Sequence, residues 1–494
     1  MTPTFPAYWK QGQDVDRQQF PARQSLPDEA VSDRAHINRR DMLKLGAAAL
    51  GTGAFLTGCA SDFGTSPSYL TAVLEQKNHN TVYHWVDIVL QQTRDQRVAP
   101  PRAAYNYAAP MVAGFLAANA IIGRYEEPFG IGRGPKGADP EAAYGAAFAA
   151  AAAENFQQPF IFERKTFLNR IPDGAAKTLG AEWGRRVGLE IVRMRTRDGA
   201  EPNKVDYYLG RYPRRDDQVN WDPTSAAYGV QTGPRISSYG RGLYPGFGHI
   251  KPWTLRHTGQ FRPEPFYDPA SPEFAEDYDL IRQIGGAKST MRTEDQSEIA
   301  LFWEDGPWGI TPPGHFLFIA VQVLQSRGFD FLDTARAFAL LGMTQCDAAI
   351  NSWDSKYHHD ILRPSTAIRT RSAAFGNPDK RIVEDAGWES FIPTPNFPSY
   401  TSGHSTFGAA GTEMTALLLG TDNVTFSHES PDQVGWPQIV GARRTWTSLS
   451  QAAEENGWSR LYGGVHWRLD HTAAMKAGRQ IAQQAFETMF QRKV

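Results

Sequence analysis

Apolar residues recur at helical spacing along most of the chain, and alternation of the kind that builds half-buried strands is scarce. The run WVDIVLQQTRDQ from His84 reads as an amphipathic helix that Pro100 and Pro101 stop. PRAAYNYAAPMVAGFLAANAIIG and DPEAAYGAAFAAAAAENF predict two more helices, alanine-rich enough to pack closely, and 174–195 predicts another. Helical pattern returns at 275–305, 314–327, 333–358, 403–419 and from about 464 to 490. No internal repeat interrupts the series. The expected class is therefore all-α, one domain built around helix bundles with long ordered loops.

The loops carry their own signal. Residues 200–275 are dense in Gly, Pro, Tyr and Trp, and a loop this long inside a globular chain is functional or disordered. Its aromatics argue for order, so it reads as a cover over a site. HTGQF at 257 and HESPD at 428 read as surface loops. Composition adds little: hydrophobic content is 41%, charged content 21% and net charge -2, which gives no reason to expect a nucleic-acid partner. No apolar run reaches the length of a membrane span.

The first 59 residues read as a targeting segment. NRRDMLKLGAAALGTGAFLTGCA pairs Arg39 and Arg40 with a short apolar run that ends in Leu-Thr-Gly-Cys59. It resembles a twin-arginine export signal fused to a bacterial lipobox. The resemblance implies lipidation of Cys59, export, and a periplasmic or cell-envelope lipoprotein that touches membrane only through its lipid anchor. Residues 1–37 are polar and aperiodic, as a disordered n-region is. Domain organisation is then 1–59 signal and 60–494 helical domain. With Cys59 used, Cys346 is the sole remaining cysteine and no intramolecular disulfide can form.

Chemistry concentrates in three segments. WDSKYHHDILRPSTAIR places Lys356 three residues after Trp353 on a helical face, then Arg363 before Pro364. Proline disfavours helix at the residue before it, so the helix ends nearby and releases Arg363 into a loop. FPSYTSGHSTFGAAG sets Ser402, Gly403 and His404 where an irregular stretch gives way to a helix, whose unpaired N–H groups bind anions. SRLYGGVHWRLD, residues 459–470, supplies Arg460, His466 and Asp470. On a helix, positions 466 and 470 share a face, so the carboxylate can hold one imidazole nitrogen and leave the other aimed at a ligand. Singly, each segment has a plain reading: a solvated cationic face, an N-cap, a core histidine. Together they describe a pocket for a tetrahedral oxyanion.

K-x6-R-P, S-G-H and S-R-x5-H-x3-D form the signature of the vanadium haloperoxidases and the acid phosphatases that share their fold. The similarity to the bacterial haloperoxidases extends to RPEPFYDPASPEFAEDY, STMRTEDQSEIALFWEDG and SLSQAAEENGWSRLYGGVHWRLD, with the signature core at 338–490. It implies an acid phosphatase/vanadium haloperoxidase-like helix bundle. It also implies vanadate as cofactor, with phosphate able to occupy the same site, and hydrogen peroxide and halide as substrates. Residue by residue it assigns Lys356, Arg363 and Arg460 to the oxyanion's oxygens, with Ser402 and the N–H of Gly403 completing the cradle. His466 becomes the metal ligand, Asp470 its orienter and His404 the acid–base group. Trp353 and Phe397 match aromatic positions near the halide, and Asp305 in FWEDG is a carboxylate that tunes the cradle. Oligomeric state is open, with a homodimer as the assembly to test. Two other readings stand beside this one: a phosphatase using His466 as nucleophile, and a non-catalytic phosphate-binding envelope lipoprotein.

Overall fold

The computed structural model describes residues 80–201, 219–221, 242–306 and 308–493. Residues 1–59, where a signal segment ending at Cys59 is expected, and much of the aromatic stretch 200–275 lie outside these residues. The described chain is helical, with one two-stranded antiparallel hairpin as its only named sheet. The N-terminal helices are α1 (Thr81–Gln96), α2 (Pro100–Ile122), α3 (Pro140–Asn155), α4 (Ile161–Leu168) and α5 (Ala175–Arg195). The middle of the chain gives α6 (Pro272–Ile284), α7 (Glu294–Phe302), α8 (Thr311–Gln325) and α9 (Phe331–His359). The last part gives α10 (Gly403–Leu419), β1 (Phe426–Glu429), β2 (Arg443–Trp446), α11 (Leu449–Tyr462) and α12 (Arg468–Thr488). No helix among the described residues is long and apolar enough to cross a membrane.

Local sequence explains most boundaries. α1 ends at Gln96 because Arg97 turns left-handed (φ 51°), and Pro100 then starts α2 at a position where its missing N–H costs nothing. The single helix expected over 275–305 is two. Thr293 and Gln296 close a capping box that starts α7 afresh. The helix expected from 464 begins at Arg468, after Gly464 adopts a positive φ of 74°. α4, α11 and the hairpin were not foreseen. Contrary to the surface-loop reading, His428 sits fully buried on β1.

The alanine-rich α3 meets α5 at glycine positions 180, 184 and 188. A Cβ on Gly184 falls 2.1 Å from the carbonyl oxygen of Ala143, so only glycine lets these backbones approach. Gly184→Ala gains about 1 kcal/mol of helix propensity. It must then push backbone apart, and such overpacking costs about 1–3 kcal/mol. The clash wins because the contacting atom is main chain. Urea unfolding should show net destabilisation; an unchanged or raised midpoint refutes the close crossing.

α9 is the long strut of the molecule. Its first half packs into a core shared with α1, α2, α3 and α8, and its second half into a core with α8, α10 and β1. The residues of its C-terminal end therefore sit on a rigid element, facing α10 and the loop before it.

Candidate active site

α9 ends where its sequence says it should. Asp360 takes the left-handed conformation (φ 52°), donates its N–H to Lys356 O, and Arg363 is extended (φ -82°, ψ 154°) ahead of Pro364. Trp353 and Lys356 lie on the last turns, three residues apart. Ser402 caps α10: its Oγ accepts from Ser405 N–H at 3.3 Å, which leaves the Ser402 hydroxyl proton available, and the Gly403 and His404 N–H groups open the first turn. Arg460 occupies the last turn of α11.

His466 and Asp470 meet, but not on one helical face. His466 precedes α12, Trp467 caps it, and Asp470 is its third residue. Asp470 folds back so that Oδ2 accepts from Trp467 N–H at 3.0 Å and from His466 Nδ1 at 2.7 Å. Ser399 Oγ donates to the same oxygen. With Nδ1 protonated and held, Nε2 keeps its lone pair, and Arg363 Nη1 lies 3.0 Å from it.

The three cations are buried at 0% exposure for Lys356 and Arg363 and 1% for Arg460. Arg363 donates from Nε to Phe397 O at 2.9 Å and from Nη1 to Val465 O at 2.7 Å. Arg460 Nη1 reaches Trp303 O at 3.5 Å. Lys356 is placed differently from the expectation that its N–H groups point at the oxyanion. Nζ donates to the carbonyls of Pro398 and Ser399 at 3.0 Å each, and to that of Thr401. An ammonium has three N–H bonds, so all are used on the segment before Ser402 and what remains for the cradle is charge. Burial pulls Arg363 down to about 9 and Arg460 to about 10, and with help from the neighbouring arginines it holds Lys356 well below the usual ammonium range. The same field, after burial itself, holds both His404 and His466 well below the usual imidazole range, so both are neutral. Burial pushes Asp470 up to about 7 despite its hydrogen bonds.

His404 stands only partly buried, at the edge of this group. Its Nε2 meets the Glu304 carbonyl oxygen at 3.1 Å. A carbonyl only accepts, so Nε2 carries the proton and Nδ1 is the free base. Asn456 on α11 donates to the His404 carbonyl at 2.8 Å and fixes the start of α10. Trp353 and Phe397 are in contact (ring centroids 5.1 Å), and Lys356 Nζ and Arg363 Cζ lie 4.9 Å and 4.8 Å from the Phe397 ring centre. Trp353 Nε1 donates to Leu243 O at 3.0 Å, so the described end of the aromatic stretch covers this side. The Asp305 carboxylate receives His315 Nδ1 at 2.9 Å, and it acts on the cradle through its charge on Arg460.

Four contributors escaped sequence reasoning: Ser399, Asn456 and the carbonyls of Trp303 and Glu304. Ser399 and Glu304 flank residues that the motifs single out, but main-chain carbonyls carry no residue-type signal.

The cradle fits a trianionic oxyanion by an independent test. Within it, among the described residues, Arg363 Nη2 and Arg460 Nε are buried donors without a hydrogen-bond partner. Buried unpaired N–H groups on cations are costly, and an anion's oxygens satisfy both.

Comparison with known proteins bears on the fold. The family described as VCPO second helical-bundle domain matches residues 336–493. Vanadium chloroperoxidase of Curvularia inaequalis is 30% identical over 256 residues, 41% of this chain and 41% of that protein. The match thus spans under half the length of this curated relative. Among solved structures, a bacterial vanadium-dependent iodoperoxidase superposes with a TM-score of 0.68 at 23% identity, over 84% of this chain and 97% of that one. A bacterial vanadium-dependent chloroperoxidase, in its apo form, gives 0.60 at 16% identity over 79% and 94%. Residues 336–493 thus match the model of a VCPO second helical-bundle domain, and the described chain shares the helical fold of the bacterial vanadium haloperoxidase structures.

Proposed function

We propose that the cradle binds orthovanadate and that the protein oxidises halide with hydrogen peroxide to hypohalous acid. One observation carries the reading. Two buried arginines carry unpaired N–H groups, and one of them, Arg363, places Nη1 3.0 Å from Nε2 of His466, whose other nitrogen is held by Asp470. Such a site offers one nitrogen ligand and several charge-assisted donors, which suits a hard, oxygen-rich anion. Arg363, Arg460, the Ser402 hydroxyl and the Gly403 N–H hold the oxygens, and His466 Nε2 ligates the metal. Bound vanadate supplies a Lewis acid that withdraws charge from peroxide without changing oxidation state.

The remaining work belongs to the chain. His404 Nδ1 takes a proton from incoming peroxide, and Nε2–H stays on the Glu304 carbonyl throughout. Arg363 and Arg460 stabilise negative charge as it shifts between oxygens. Trp353 and Phe397, beside two cations, form a weakly hydrated place for halide. Halide, peroxide and one proton give hypohalous acid and water.

The test uses the purified full chain freed of bound oxyanion. Orthovanadate is titrated while bromide and iodide oxidation by hydrogen peroxide is followed, with phosphate ester hydrolysis measured in parallel. Saturable halide oxidation at stoichiometric vanadate is expected. Ester hydrolysis that vanadate inhibits, with no halide oxidation, makes the protein a phosphatase.

A further inference from the structure

The turn Trp303–Gly306, just after α7, touches both His404 and Arg460 through its main chain. Trp303 O faces Arg460 Nη1 at 3.5 Å and Glu304 O accepts from His404 Nε2 at 3.1 Å. Where this turn sits therefore decides where the guanidinium and the imidazole point. Its own side chains are anchored on two sides. Asp305, at φ 51°, pairs with His315, and His315 Nε2 meets His428 Nε2 on β1 at 2.8 Å. Glu304 reaches the loop between β1 and β2. Its carboxyl and that of Asp432 pack together against Gly306, where an added Cβ would meet both Glu304 Oε2 and Asp432 Oδ2, close enough for the two groups to pair, and Glu304 Oε2 accepts from Trp436 Nε1 at 3.3 Å. Gly306 N–H donates to Asp432 Oδ2 at 2.6 Å.

Two carboxylates are both acceptors, so a direct hydrogen bond between carboxyl groups requires a proton on one of them. Here Glu304 is 5% exposed and Asp432 fully buried, so bulk solvent does not screen them from one another. The groups facing the pair are Arg460 from α11, His404 from α10, Asp305 on the same turn, and Arg94 of α1, whose Nη2 donates to Pro431 O at 3.3 Å. Arg460 stands on the cradle side and Arg94 on the far side, with three carboxyls between them.

We propose that Glu304 and Asp432 share one proton and act as positioning residues, tying the Trp303–Gly306 turn to the hairpin loop so that its carbonyls hold His404 and Arg460 at the cradle. The role assigned to these two groups rests on the haloperoxidase reading; the shared proton does not. Burial raises both carboxyls above their usual range, Asp432 well above it, where the charges of Glu304 and Asp305 add to the effect. A carboxyl raised on folding adds stability that is full below its unfolded value. That stability is lost as pH climbs through the folded value. Alkaline pH therefore removes the shared proton, and the two buried carboxylates push the turn away from the loop.

The test compares Glu304→Gln, Asp432→Asn and Glu304→Ala in the full chain. A carboxamide donates N–H without needing a titratable proton. Glu304→Gln is expected to flatten the fall of melting temperature on the alkaline side of the usual carboxyl range and to move the alkaline limb of kcat upward. Asp432→Asn does the same. Glu304→Ala loses kcat about tenfold or more at every pH with KM little changed, and Glu304→Gln restores it. Parallel pH profiles in wild type and both carboxamide variants overturn the shared proton. Damage from Glu304→Gln as severe as from Glu304→Ala overturns it too. Melting temperature and orthovanadate affinity against pH are read even in a chain that oxidises no halide, so the two readings fail separately.

Discussion

His466→Ala folds but no longer retains orthovanadate, whereas His404→Ala retains it and loses turnover by about 10²–10⁴-fold. The first result follows from the hydrogen bonds around His466. Removing the ring takes away the one nitrogen aimed into the cradle. Arg363 keeps its bonds to Phe397 O and Val465 O, and Asp470 keeps those from Ser399 and Trp467. The fold therefore loses little while the anion loses its ligand. Loss of an outer partner alone weakens a metal by about 10–100-fold, so loss of the ligand exceeds that. His404 acts otherwise: its contacts run to Glu304 O, and its Nδ1 works as a base, so its removal spares the oxygens' donors. Equilibrium dialysis and steady-state rates on the same preparations separate the two. Equal loss of binding in both variants overturns this division of roles.

Much of the site was legible because its signals are local. Pro364 forces Arg363 out of the helix, and the Ser402-Gly403 start of α10 follows from capping. α11 was invisible for a physical reason. Its buried face consists of Ala452, Ala453, Asn456, Gly457, Ser459 and Arg460 beside two leucines, so burial there does not follow hydrophobicity. The motif names Arg460, but not that it projects from the end of a packed helix. His428 looked like a loop residue because its partner, His315, is supplied by another element. The Glu304–Asp432 pair and the carbonyl triplet on Lys356 are likewise products of tertiary approach, which spacing along the chain does not encode.

Asp470 carries the second large effect. Its Oδ2 receives His466 Nδ1, Trp467 N–H and Ser399 Oγ, and its carbonyl receives Ser402 N–H at 3.0 Å. One residue thus fixes the imidazole's tautomer, starts α12 and ties it to the cap of α10. Asp470→Ala removes the side-chain part and leaves two or three buried donors unpaired, each costing about 1–3 kcal/mol. The imidazole can then place its proton on Nε2 and turn it toward Arg363, where two donors meet. Orthovanadate affinity should fall about 10–100-fold and thermal stability should drop with it. Asp470→Asn separates the two effects. Its carbonyl oxygen can still accept from Nδ1 and from Trp467 N–H, so stability recovers more than affinity does, since the lost negative charge no longer supports the basicity of Nε2. Recovery of affinity to the wild-type level in Asp470→Asn shows that geometry alone suffices and rejects the electrostatic part of the role. Unchanged affinity in Asp470→Ala rejects the role entirely.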